Sequence, residues 1–210
     1  MFDAPAIGLS IVAGADLDEP LRSALRPGEL VEDRHGMAHR LPSYFYRIPS
    51  WEAALEVKLA PNFGLWELID VDVRETPAMR TFPRYVPCAI TLLAGQLQIL
   101  RSEIGRVVRI AANGGYRSPG HRLSHVASPH LWGTAANIYR IGDEWLDSRE
   151  RIERYAQTAR SILPGVWTRR WGRGPGCVLD HLHIDLGYVT LEPHDNGRSA
   201  DQREKSPEEE

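Results

Sequence analysis

The sequence predicts an α+β domain, and three observations carry the prediction. Segments with apolar residues at helical spacing and short β-branched runs follow one another along the chain, with no internal repeat. The length, 210 residues, exceeds the usual domain of about 150 but falls short of two, which favours one core with appendages. With 42% hydrophobic residues, 25% charged residues and six Trp, the composition is that of a globular protein. Mean hydropathy is −0.35, and no apolar run approaches the roughly 18 residues of a membrane span. Collagen, coiled coil and membrane protein are thereby excluded. The formal net charge of −3 argues against a global attraction to nucleic acid and leaves room only for a local basic patch.

Residues 1–50 are rich in Pro, Gly and alternating charge, and are read as an irregular arm with short elements. The amino terminus carries Asp3, Pro5 and Gly8 where a secretory signal wants a basic start and an unbroken apolar run, so no signal peptide is read. The expected location is cytoplasmic, or outside the cell after lysis or dedicated secretion. Behind the cap Ser50, WEAALEVKLA predicts a helix of about ten residues stopped at Pro61. Val86, Ile90, Leu93, Leu97 and Leu100 trace one face of a long helix that Gly105 ends. VVRIAA at 107–112 predicts a buried strand that delivers the chain into the loop NGGYRSPGHR. TAANIYRI at 134–141 reads as a strand, SRERIERYAQTARSIL as a helix capped by Ser148, and VLDHLHIDLGYV as a strand with alternating faces. The domain is placed at 51–191, followed by a disordered acidic tail at 192–210. Cys88 and Cys177 have no ligand spacing, allow at most one disulfide, and are read as buried thiols.

Six of the eight histidines fall between residues 113 and 194. SPHLWGTAAN sets His130 and Asn137 seven residues apart across a glycine, on the approach to a strand. DHLHID puts His181 and His183 on one strand face, because side chains two apart point the same way. GGYRSPGHR presents Arg117 and Ser118 just past a strand end. Neutral imidazoles from two strands suit zinc, although an HxH pair is as often one buried histidine with a hydrogen-bonded neighbour. His121 and His125 lack the Glu of a zincin helix and are read as loop or surface residues; His35, His39 and His194 are read as solvated.

NGGYRSPGHR, SPHLWGTAANI and HLHIDLG, in this order behind NFGLWELID and VPCAITLLAGQLQILR, resemble the signature segments of the M15 zinc peptidases, M15A-like branch. That family contains D-alanyl-D-alanine carboxypeptidases and peptidoglycan endopeptidases. The resemblance covers about residues 61–190. It implies a Hedgehog/DD-peptidase-like α+β fold, an antiparallel sheet with helices mainly on one face, and a metal cleft across the sheet. It implies one zinc ion held by His130, Asn137 and His183, with Asp180 or His181 as the base. Arg117, Ser118 and Ser128 fall on the substrate side, and Asp185 behind an imidazole. Ser128, His130, Gly133 and Ala135 match the family pattern, but Asn137 stands where the family has aspartate.

An asparagine offers zinc a neutral carbonyl dipole in place of a charged oxygen, so affinity falls while a bound water becomes more acidic. Three alternatives follow: a weakened working site, a silent binding module on the same fold, or an engineered substitution. The function the resemblance implies is zinc-dependent hydrolysis of D-amino-acid-containing peptidoglycan peptides. A binding module for a peptide or cell-wall fragment, and a metal enzyme with another substrate, are the alternatives. VWTRRWGRGPG, with Trp167, Trp171, Arg169, Arg170 and Arg173, is either a wall for an anionic or sugar-peptide substrate or a helix end with packed tryptophans and solvated arginines.

Overall fold

The computed structural model describes residues 7–193; the tail from 194 onward, and with it His194, lies outside the described residues. Strand β1 (Ile11–Ala13) and helix α1 (Leu21–Leu25) precede a hairpin of β2 (Leu30–Glu32) and β3 (Ala38–Arg40), and then β4 (Tyr44–Ile48). The aromatic and β-branched YFYRI favours an extended, half-buried strand. The segment read as an irregular arm is built into the core: Leu25, Phe45 and Ile48 are fully buried. Helix α2 (Trp51–Glu56) is capped by Ser50, whose Oγ accepts from the Ala53 N–H at 3.2 Å. It is shorter than predicted, because Lys58–Ala60 leaves the helix as β5 and pairs with β6 (Phe63–Gly64).

Two one-turn helices, α3 (Leu65–Leu68) and α4 (Pro77–Arg80), lead to β7 (Arg84–Pro87). Strand β4 is flanked by β1 and β7, both antiparallel. Val86, predicted in a helix, is therefore a strand residue opposite Tyr46, and the long helix α5 starts later, at Ile90–Ile104. Its face Ile90, Leu93, Ala94, Leu97, Leu100 is buried, and Gly105 closes it in the left-handed region at φ 66°.

Strand β8 (Val108–Ile110) is followed by β9 (Ala135–Ile141), a short β10 (Glu144–Trp145) and helix α6 (Arg149–Ile162), whose cap is Ser148 as predicted. Then come β11 (Trp167–Thr168), β12 (Arg170–Trp171), β13 (Cys177–Val178) and β14 (Leu182–Asp185). The predicted last strand is thus two strands, and the Trp/Arg segment is extended rather than a helix end, with Trp167 69% exposed. Strands β8, β9, β14 and β11 form one antiparallel sheet, with β10 folded back on β9; β12 and β13 form a two-residue parallel pair. Ile138 is opposite both Leu182 of β14 and Ile110 of β8, so these strands flank β9. Ala136, Ile138, Leu182 and Ile184 join α5 and α6 in the main core. The alternation that buries them turns Asn137, His183 and Asp185 to the opposite face. The architecture is mixed α+β with antiparallel sheets. Among the described residues no helix is long and apolar enough to cross a membrane. Both cysteines are free; Cys88 is buried, which pushes its thiol up to about 12, and Cys177 is half-buried.

Candidate functional site

The loop after β8 is fixed by backbone bonds on both sides. Ala111 N–H donates to Asn137 O at 2.9 Å, and Asn137 N–H to Gly114 O at 2.7 Å. Gly115 lies so close to α3 that a Cβ would sit 2.1 Å from the Leu68 carbonyl oxygen, and Tyr116 N–H donates to that same oxygen at 2.7 Å. No residue with a side chain fits there without moving backbone. Arg117 N–H then donates to His130 O at 3.2 Å, which ties the loop to the 3-10 turn Pro129–Trp132. His121, expected at the surface, is buried: its Nδ1 accepts from Leu123 N–H at 3.0 Å, so its Nε2–H donates to Asn113 Oδ1 at 2.9 Å. Burial holds its pKa below the usual histidine range.

His130 and His183 are both buried, with ring centroids 5.2 Å apart. His130 Nδ1 lies 2.8 Å from Gly115 O, which assigns the proton to Nδ1 and leaves the Nε2 lone pair free. His183 stands directly opposite Asn137 in the β9–β14 ladder. Its Nε2 is 2.9 Å from Asp185 Oδ2 and its Nδ1 is 2.8 Å from Asn137 Oδ1. A neutral ring that donates Nε2–H to Asp185 keeps its lone pair on Nδ1, toward Asn137. Burial keeps both rings neutral: it holds His183 down to about 4, and His130 well below the usual range with help from Arg117.

This donor set fits a transition-metal ion in kind. Each imidazole has one nitrogen committed to a carbonyl or carboxylate, the arrangement that orients histidine ligands; the second nitrogen of His130 has no partner among the described residues, and that of His183 is against Asn137 Oδ1 at 2.8 Å. The third donor, Asn137, brings no charge. Among the described residues no group of three or more His, Cys, Asp or Glu could hold a metal. The same geometry also closes without an ion, because an amide turned by 180° donates Nδ2–H to the His183 Nδ1 lone pair.

His181 Nδ1 is 2.7 Å from Asp180 Oδ1, and the Asp180 side chain is 84% exposed whereas that of His181 is 22% exposed. Burial, foremost, lowers the His181 pKa, so the ring is neutral near pH 7. Ser118 is fully buried, and both its N–H (3.0 Å) and its Oγ–H (2.6 Å) donate to Glu75, a buried carboxylate that the sequence did not single out. Its hydroxyl therefore braces the loop. Arg117 differs: its Nε is buried without a hydrogen-bond partner among the described residues. Burial draws its pKa down to about 10, with Arg169 and Arg74 adding repulsion. Leaving such a donor unmatched costs about 1–3 kcal/mol.

Arg117, Ser128 and Arg169, together with Asp33, Arg34 and Tyr188, line an open cleft of about 390 Å³. The hairpin β2–β3 contributes Asp33 and Arg34 to the cleft. It is held by His39, which stacks on Tyr188 at 3.7 Å and bonds Asp33 Oδ2 at 3.0 Å, so His39 is not the solvated residue its polar surroundings suggest. Trp132 Nε1–H donates to Arg40 O at 3.0 Å and fixes the hairpin to the His130 turn. Nothing in the spacing of residues 30–40 signals this role; contacts some ninety residues apart create it. Comparison with protein-family models, curated proteins and solved structures finds no match to this chain.

Proposed function

We propose that the chain is a zinc-dependent peptidase of the M15 type, with a Hedgehog/DD-peptidase-like fold, acting on D-amino-acid-containing peptides of the peptidoglycan kind. The observation that carries the reading is the pair of buried neutral imidazoles, His130 and His183, with ring centroids 5.2 Å apart, His130 held through Nδ1 by the Gly115 carbonyl and His183 held between Asp185 and Asn137. His130, Asn137 and His183 would hold the ion. When bound, zinc supplies Lewis acidity, polarising a peptide carbonyl and acidifying water. Asp180 orients His181 through Nδ1, which leaves the His181 Nε2 lone pair to accept a proton from the attacking water and return it to the leaving amine. Arg117 holds the carboxylate of the C-terminal residue, for which its planar fork is suited. Asp185 keeps the His183 ring in one tautomer, and Glu75 with Ser118 keeps the loop under Arg117 in place.

A second reading has its own support: Asn137 and Asp185 together can satisfy both nitrogens of His183 with no ion, as a metal-free peptide-binding module requires. One experiment separates the two. The full chain, stripped with chelator, is titrated with zinc by calorimetry and then assayed for release of D-alanine from an acetylated D-Ala-D-Ala peptide. At most one ion per chain and zinc-dependent release are expected. Absence of zinc binding removes the peptidase reading, and peptide binding without zinc or turnover selects the binding module.

A further inference from the structure

The cleft beside the histidines is lined by three arginines from three distant parts of the chain: Arg34 from the hairpin turn, Arg117 from the loop after β8, and Arg169 between β11 and β12. Glu75 attracts Arg117 and Asp185 attracts Arg169 at a distance, but neither carboxylate pairs with them directly. Asp33 accepts from His39 and from the N–H groups of His35 (2.8 Å) and Met37 (3.0 Å). Asp185 is used by His183 and by Gly187 N–H at 2.9 Å, and Glu75 by Ser118. Among the described residues no ion pair within 4 Å engages Arg34, Arg117 or Arg169, whereas Arg22, Arg26, Arg106, Arg149 and Arg151 each have a carboxylate. Arg34 and Arg169 also repel one another across the cleft, and Arg169 is half-buried, so the cluster is held together at a cost in the free protein. One carboxylate carries a single charge and two oxygens, enough for the Arg117 fork alone, and leaves the other two cleft arginines, Arg34 and Arg169, without an anion. A cleft of about 390 Å³ has room for more than one such group.

We propose that the cleft takes a peptide carrying two carboxylates, one on Arg117 and the second between Arg34 and Arg169, so that the amino-terminal hairpin reads an acidic side chain or second carboxyl group next to the C-terminal residue. The inference rests on the peptide-carboxylate reading of Arg117 and adds its own requirement, a second anion. Guanidinium forks match carboxylate oxygens in pairs, and in a half-buried cleft the attraction is screened less than at the open surface.

The test compares acetyl-D-Glu-D-Ala with its neutral isostere acetyl-D-Gln-D-Ala by calorimetry on the full chain, with chelator present so that no turnover consumes the probe. The acidic peptide should bind at least tenfold more tightly. Arg34→Gln and Arg169→Gln should each erase most of that preference while leaving the acetyl-D-Gln-D-Ala affinity within about threefold; Arg117→Gln should weaken both peptides. Exposed Arg173, outside the cleft lining, serves as control, and Arg173→Gln should preserve the preference. Equal binding of the two peptides by the unaltered protein overturns the second subsite and leaves the peptidase reading standing. An equal loss in Arg173→Gln overturns it as well, because it reduces the effect to general charge. Pyrophosphate binding more tightly than the acidic peptide reassigns the pair to phosphate and overturns the peptide class. If neither peptide binds, both the second subsite and the reading of Arg117 fall.

Discussion

Asn137 decides how the His183 imidazole behaves. Its Oδ1 is 2.8 Å from His183 Nδ1, so a carboxylate here would add a negative charge directly beside that imidazole. Asn137→Asp should therefore tighten zinc binding at least tenfold, about 1.4 kcal/mol, as read by competition with a chelating dye. Equal or weaker affinity would mean that the side chain does not serve the ion. The histidines also set the acid limit of the fold. In the unfolded chain His183 takes a proton near pH 6.5, but buried it does so only near 4. Between those values the unfolded state binds more protons, so its contribution to stability is intact above about 6.5 and is lost as pH falls through about 4, on the order of 3 kcal/mol. Urea denaturation with chelator at pH 7.5, 5.5 and 4.5 should show the decline, and His183→Gln should flatten it. A slope unchanged by that substitution would place the acid sensitivity elsewhere.

At the scale of elements, the loop 111–118 positions the site because it is anchored to α3, β9 and the His130 turn at once. Gly115 is the point that permits this. Gly115→Ala forces a methyl group against the Leu68 backbone, and should destabilise the fold by at least about 2 kcal/mol and weaken peptide binding through Arg117. A denaturation midpoint within error of the unaltered protein would show that the loop relaxes freely. The glycines of GGYRSP were legible as a turn, but their partner was not. Helix spacing likewise identified α5 and α6 while overextending the helix ends. Val86 and Lys58–Ala60 carry apolar spacing compatible with either state, and pairing with Tyr46 and with the Phe63–Gly64 strand decides for strand.

For the whole molecule, residues 7–50 are the clearest case of integration. Leu25, Phe45 and Ile48 are buried in the main core, and Leu41 in a second cluster with Trp132. Their burial contributes roughly 6–12 kcal/mol together at about 1.5–3 each. That is comparable to the whole stability of a domain, about 5–15 kcal/mol. Deleting residues 1–50 should abolish the cooperative thermal transition followed by circular dichroism. A truncated chain that still melts cooperatively near the original temperature would show that the segment is an appendage. The same segment carries Arg34 into the cleft, so stability and ligand recognition share one structural origin.

The sequence by itself determined the α+β composition, the long helices, the strand after the GGYRSP loop and the segments in which His130, Asn137 and His183 occur. Those are local properties: apolar periodicity, cap residues and spacing within one strand act over a few residues and can be read where they stand. Only the tertiary structure decided that His183 faces Asn137 across a ladder, that Ser118 belongs to Glu75, that His121 and His39 are covered, and that three arginines converge on one cleft. These depend on which distant backbone a residue meets. A polar side chain in polar text looks the same whether it ends in water or against a partner some forty to a hundred and fifty residues away, and burial with its electrostatic cost exists only once the partners are in place.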